Sequence, residues 1–164
     1  MRWTLILGIG LVLLGAGCGS SSKSSANERE LQHQADIMAI DKIEQTWHKA
    51  ASTHNIDLMM SIWAPDATFN LGTAIYSGTA QIRSFWANEA GPFRPENHWV
   101  SDTPAYKVRI TVSGDKGTLY FECHYVDVKT GKVKAVIGVD HNVQKIDGKW
   151  LIVSGAGSPA TLGP

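Results

Sequence analysis

Apolar residues along the chain change period once, near its middle. Ile40, Ile43, Trp47 and Ala50 recur at steps of three and four, which is one face of an amphipathic helix. A second helix is expected from Asp57, a residue suited to an N-cap, with Leu58, Met59, Ile62 and Trp63 behind it and Pro65 as its stop. Ala67 to Leu71 reads as a short strand and Tyr76-Ser77-Gly78 as the close of a hairpin. Thr79 then opens a third helix that carries Ile82, Phe85 and Trp86, and Gly91-Pro92 with Pro95 breaks the pattern into a loop. From Tyr106 the period is two. Tyr106, Val108, Ile110 and Val112 alternate with Lys107, Arg109 and Thr111. Longer strands are expected at Thr118 to Val128 and Val133 to Lys145, with a turn at Lys129 to Lys132. Asp147-Gly148 is a hairpin signal before a last strand at Trp150 to Val153. Helices first and a meander afterwards give an α+β class. The expected architecture is a strongly curved antiparallel sheet wrapped around the N-terminal helices, leaving a cone-shaped hollow suited to a small ligand.

The chain preceding the first helix has a different character. Arg2 is followed by an apolar run from Leu5 to Leu14 and then by Gly15-Ala16-Gly17-Cys18. The run is too short to span a bilayer and has the length of a signal-peptide core. Its end resembles a bacterial lipobox, which implies lipidation at Cys18 and removal of residues 1–17. The stretch that follows is rich in Ser and Gly and reads as a flexible tether over 18–30. The folded domain is expected at 31–154, with a loose tail at 155–164. Gly19 rather than Asp follows the cysteine, which by resemblance to envelope-sorting rules points to the outer membrane. The alternative is the outer face of the cytoplasmic membrane.

Composition narrows the function classes. Lys plus Arg and Asp plus Glu number 15 each, with no basic cluster, so nucleic acid is not an expected partner. Cys18 and Cys123 are the only cysteines, and a lipidated Cys18 leaves Cys123 unpaired, so no disulfide framework is expected. Cys123 lies in an apolar run and reads as a small buried hydrophobe. His33, His48, His54 and His141 have no metal-ligand spacing, and no phosphate loop or nucleophile elbow is present, so neither metal nor cofactor is expected. Trp47, Trp63, Trp86 and Trp99 read as core or cavity wall. Tyr120, Glu122 and His124 share one strand face and read either as a pocket lining or, the preferred reading, as a wet surface for a homodimer through the sheet.

From Ile43 to about Val153 the text resembles the nuclear transport factor 2-like superfamily, in particular its SnoaL-like and ketosteroid-isomerase-like members. The resemblance rests on Trp47-His48-Lys49-Ala50, Asn55-Ile56-Asp57, Pro65-Asp66-Ala67-Thr68-Phe69, the run from Tyr76 to Arg83, and Val139-Asp140-His141. It implies a conical barrel, often dimeric through its sheet, on a fold that hosts many activities. The isomerases use a Tyr on the first helix, an Asp base after the first strand and a protonated Asp late in the sheet, to move a proton and hold an enolate oxygen. Here those positions are Trp47, Leu71 and Asp140, so one role in three is kept. Dehydratase and dehydrochlorinase relatives pair a His after the third helix with an Asp near the end of the first. Here those positions are His98 and Ser52.

The residues expected to line a cavity are Trp47, Trp63, Phe69, Leu71, Phe85, Trp86, Trp99 and Asn142. The leading expectation is a membrane-tethered domain of the cell envelope that holds a small, largely apolar molecule without efficient catalysis. The second is a lyase or isomerase that uses His98 and Asp140. The third is a non-catalytic module that dimerises through the strands from Thr118 to Lys145.

Overall fold

A computed structural model of the chain describes residues 21–101 and 105–160. The signal segment over 1–17 and Cys18 lie outside the described residues. The first helix, α1, runs Ser21–Ser52 and so begins within the expected tether. No Gly or Pro interrupts the sequence from Ser20 to Asn55, and side-chain pairs one turn apart, Glu30 with Gln34 and Gln32 with Asp36, support the helix. Its inward stripe is the one the sequence spacing picks out, with Ile40, Ile43, Trp47 and Ala50 all buried.

The second helix, α2, is a single turn at Ile56–Met60. Its cap is Asn55, whose side-chain oxygen accepts the Leu58 N–H at 2.8 Å, and Asp57 instead pairs with Arg83. Strand β1 (Trp63–Asn70) starts earlier than expected, and Pro65 lies inside it rather than ending a helix. The ladder between β1 and its neighbour is interrupted between Trp63 and Thr68, so the missing proline N–H breaks no regular pairing there. Then come β2 (Ile75–Ser77), helix α3 (Gly78–Asn88) with Ser77 rather than Thr79 at the N-cap position, and a short 3₁₀ turn at Gly91–Phe93. The C-terminal half holds β3 (Trp99–Ser101), β4 (Tyr106–Ser113), β5 (Lys116–Asp127), β6 (Lys132–Ile146) and β7 (Lys149–Pro159). The β6–β7 hairpin turns on Asp147 and Gly148, both at positive φ, as a two-residue turn of this hand requires.

The strands form one sheet in the order β2-β1-β7-β6-β5-β3, with β4 also paired to β5. This corrects the expected cone. The edges do not meet: β2 pairs only with β1, and β3 and β4 share β5 as their partner. The sheet is therefore neither closed nor strongly curled, and it is mixed rather than antiparallel throughout, because β1 runs parallel to β7. The class remains α+β, with α1 and α3 packed against the strands.

The tail also departs from expectation, because β7 continues through Gly155 and Gly157 to Pro159. These small residues mark close packing rather than looseness. A Cβ on Gly155 would lie 2.8 Å from the His141 ring, and one on Gly157 would lie 3.1 Å from Leu71. The core centres on Trp47. Its indole meets Trp86 at 4.8 Å, His141 at 5.3 Å and Phe121 at 5.6 Å between ring centroids, with Trp63 and Phe69 just beyond.

Candidate ligand pocket

A pocket of about 390 Å³ opens where α1, α3 and the 3₁₀ turn meet β1, β5, β6 and the end of β7. This lies within the size range of small-molecule sites. Its wall is mainly aromatic and aliphatic. Trp47, Phe69, Leu71, Phe85, Trp86 and Trp99, all cavity residues by sequence, line it together with Ala135, Ile137 and Val139. Two other residues expected there do not. Trp63 is buried in the core behind Trp47 and Phe69. Asn142 is exposed on the opposite face of the sheet, where it donates to the Ser154 hydroxyl at 2.8 Å, because Val139, His141 and Val143 take the inward phase of β6.

Polar groups in the pocket are few. Tyr125 extends the inward series Leu119, Phe121 and Cys123 on β5, and its hydroxyl accepts the Trp47 indole N–H at 3.3 Å. Burial pushes the Tyr125 phenol well above its usual range, so it stays an O–H donor at neutral pH. The buried Trp86 indole N–H has no hydrogen-bond partner. Glu89 also lines the pocket but is exposed, and its carboxylate accepts the Tyr76 hydroxyl at 2.7 Å. Tyr125 was legible from its place in the two-residue period. Glu89 follows the last turn of α3 and carries no signal in the sequence.

His98 and Asp140 are not brought together. Asp140 is exposed and faces a polar groove of about 360 Å³ with Thr118, Asn70 and Asn142 on the outer side of the sheet. His98 is exposed just before β3, and neither residue lines the apolar pocket. Strict alternation along β6 puts Asp140 outward, so the third isomerase position has no access to a substrate in this pocket. Ser52 binds the Ser101 backbone N–H at 2.8 Å instead of orienting an imidazole. A general base must reach its proton by a hydrogen bond or one water, and this pair offers no such geometry.

Buried titratable groups lie away from these positions. His48 and Glu44 form a 2.9 Å pair within α1. Burial pushes the Cys123 thiol up, in keeping with a structural cysteine. His141 sits among Trp47, Trp63 and Phe121 with no well-aligned hydrogen bond to either ring nitrogen; burial lowers its pKa to about 3, and the Leu119 backbone offsets this only in part. On the outer face Lys107 and Tyr120 both donate to Glu122 at 3.0 Å. The Lys107 hydrogen bond is the main reason the Glu122 carboxyl lies below its ordinary value. Among the described residues no group of three or more His, Cys, Asp or Glu is placed to hold a metal ion.

An open mixed sheet backed by helices on one face, with an apolar pocket between them, places the protein in the cystatin-like, nuclear transport factor 2-like class of folds. Solved structures agree on that fold. A nuclear transport factor 2-like protein with a cystatin-like fold from Novosphingobium aromaticivorans superposes with a TM-score of 0.69 at 15% identity, covering 90% of this chain and 94% of the other. A hexachlorocyclohexane dehydrochlorinase from Novosphingobium barchaimii gives 0.67 at 18% identity, covering 82% and 93%. A protein of unknown function from Nostoc punctiforme gives 0.64 at 16% identity, covering 79% and 95%. The SnoaL-like domain model matches residues 32–155, and the chain belongs to that family. No curated protein matches it.

Proposed function

We propose that the domain binds a small, largely apolar molecule in the pocket between α1, α3 and the sheet. The observation that carries this reading is the pocket itself: an aromatic and aliphatic wall, open to solvent, with Tyr125 as its buried hydroxyl. The dehydrochlorinase of similar fold acts on a small apolar compound, which is consistent with such a ligand class. Efficient catalysis forms no part of the proposal, because Leu71 stands at the base position and neither His98 nor Asp140 lines the cavity. A purely structural module would call for a filled hollow and an apolar sheet face. Here the hollow is open, and the outer face carries Lys107, Arg109, Glu122, Asp140 and Asn142.

In this reading Cys18 is lipidated after loss of residues 1–17 and holds the domain at an envelope membrane, where an acyl-modified cysteine with more than one chain binds stably. No helix among the described residues is long and apolar enough to cross a membrane. Incorporation of labelled palmitate into the wild type and its loss in Cys18→Ser tests the anchor; equal labelling refutes it. The binding proposal is tested with the neutral fluorophore N-phenyl-1-naphthylamine and with Ala135→Trp, which fills the pocket from β6. Saturable fluorescence enhancement by the wild type and its loss in the variant is the expected result. No enhancement, or equal enhancement in both proteins, would overturn the assignment.

A further inference from the structure

The charge at the pocket mouth deepens the binding proposal, on which this inference rests. Glu89 lines the pocket, and none of the described residues lining it is Lys, Arg or His. Among the described residues its hydrogen-bond partner is the neutral Tyr76 hydroxyl at 2.7 Å, and no cation forms an ion pair with it. The hydrogen bond fixes the carboxylate without cancelling its charge, and the neighbouring carboxylate raises the Tyr76 pKa. Behind it the wall presents the rings of Phe85, Trp86, Trp47 and Trp99. Aromatic faces carry negative potential and attract organic cations, most strongly when the site excludes water.

We infer that the pocket selects an apolar organic cation, a protonated hydrophobic amine or a quaternary ammonium compound, whose hydrocarbon body fills the aromatic cavity and whose charge sits against Glu89. The geometry offers two separate contributions of the same sign. The carboxylate attracts the cationic head directly, and an aromatic lining adds cation–π attraction wherever a ring face meets that head. An anion of the same size meets both as repulsion, with no basic residue in the lining to offset them. A neutral hydrocarbon gains only from burial.

The test uses the whole chain and displacement of bound N-phenyl-1-naphthylamine by three probes: benzyltrimethylammonium, its uncharged carbon isostere neopentylbenzene, and phenylacetate. The cation is expected to bind about tenfold tighter than the isostere, a difference of the size that cation–π and rim charge contacts supply together. Phenylacetate is expected to bind more weakly than either. Glu89 is exposed, so Glu89→Gln leaves the core intact; it should reduce the preference for the cation to about threefold or less. Tyr76→Phe, which frees the carboxylate without removing it, should keep most of the preference. Equal binding of the cation and its isostere, or an undiminished preference in Glu89→Gln, overturns the inference while leaving apolar binding in place. If the fluorophore itself does not bind, both the pocket assignment and this inference fall.

Discussion

His141 offers the sharpest test of how this core is built. Its ring stacks at 5.5 Å on Phe121, lies edge-on to Trp47, and has no well-aligned hydrogen bond to either nitrogen, with the Leu119 backbone as a weak partner. Burial holds its pKa near 3, against 6.5 for an unburied imidazole. Between those values the unfolded chain binds a proton that the folded chain refuses. Stability from this group is therefore complete above pH 6.5 and declines as pH falls towards 3. Over the step from pH 7 to pH 5 the unfolded state gains most of that proton, which costs the fold about 2 kcal/mol. Carboxylates titrate mainly below this window, and the other histidines are common to every protein compared. The perturbation is His141→Leu, with His141→Phe as a second variant that keeps a ring against Phe121. Urea unfolding of each protein at pH 7 and pH 5 gives the pH dependence directly. The wild-type midpoint should fall by about 1 M more than that of either variant. Equal losses in wild type and variants would show that His141 takes up its proton in the folded state, and the account of an imidazole kept neutral by burial would be wrong.

Three further outcomes follow from packing and hydrogen bonding. Gly155→Ala places a Cβ 2.8 Å from the His141 ring and should cost about 1–3 kcal/mol in urea unfolding; a neutral result would mean that the ring or β7 shifts freely. Asp36 receives hydrogen bonds from Lys145 at 2.6 Å and Trp150 at 2.9 Å, and these and Gln32 outweigh burial to hold its carboxyl below the usual value of 3.8. Its contribution is present above pH 3.8 and is lost as pH falls through the lower folded value. Asp36→Asn should therefore destabilise the protein by about 1–3 kcal/mol at pH 7 and by less at pH 3, measured by chemical denaturation. Tyr125→Phe strands the Trp47 indole N–H and should cost about 1–3 kcal/mol, read from the same unfolding curves; an unchanged midpoint would show that water or another group replaces the hydroxyl.

Local pattern was enough for the α+β class and for most of the pocket wall. The steps of three and four residues from Ile40 to Ala50 fix the buried face of α1 because a helix repeats every 3.6 residues, and alternation along β5 and β6 fixes which side chains point inward. That alternation already carried the position of Tyr125, and it put Asp140 on the outer face, against the role its resemblance implies, and Asn142 beside it, against its expected place in the cavity. The cysteine after an apolar run is likewise a purely local signal. Long-range contact decided the rest. Whether the sheet closes depends on its edges meeting, and β2 and β3 are separated by every strand between them, so no local period records that it stays open. The run from Gly155 to Pro159 looks loose in isolation, because small residues have little to bury. It is ordered by hydrogen bonds to β6, and its glycines give room to the rings and side chains of other strands. Glu89 becomes a pocket residue only because α3 ends beside an aromatic wall assembled from elements as distant as α1 and β7, and the charge of a site is a property of that assembly rather than of any segment.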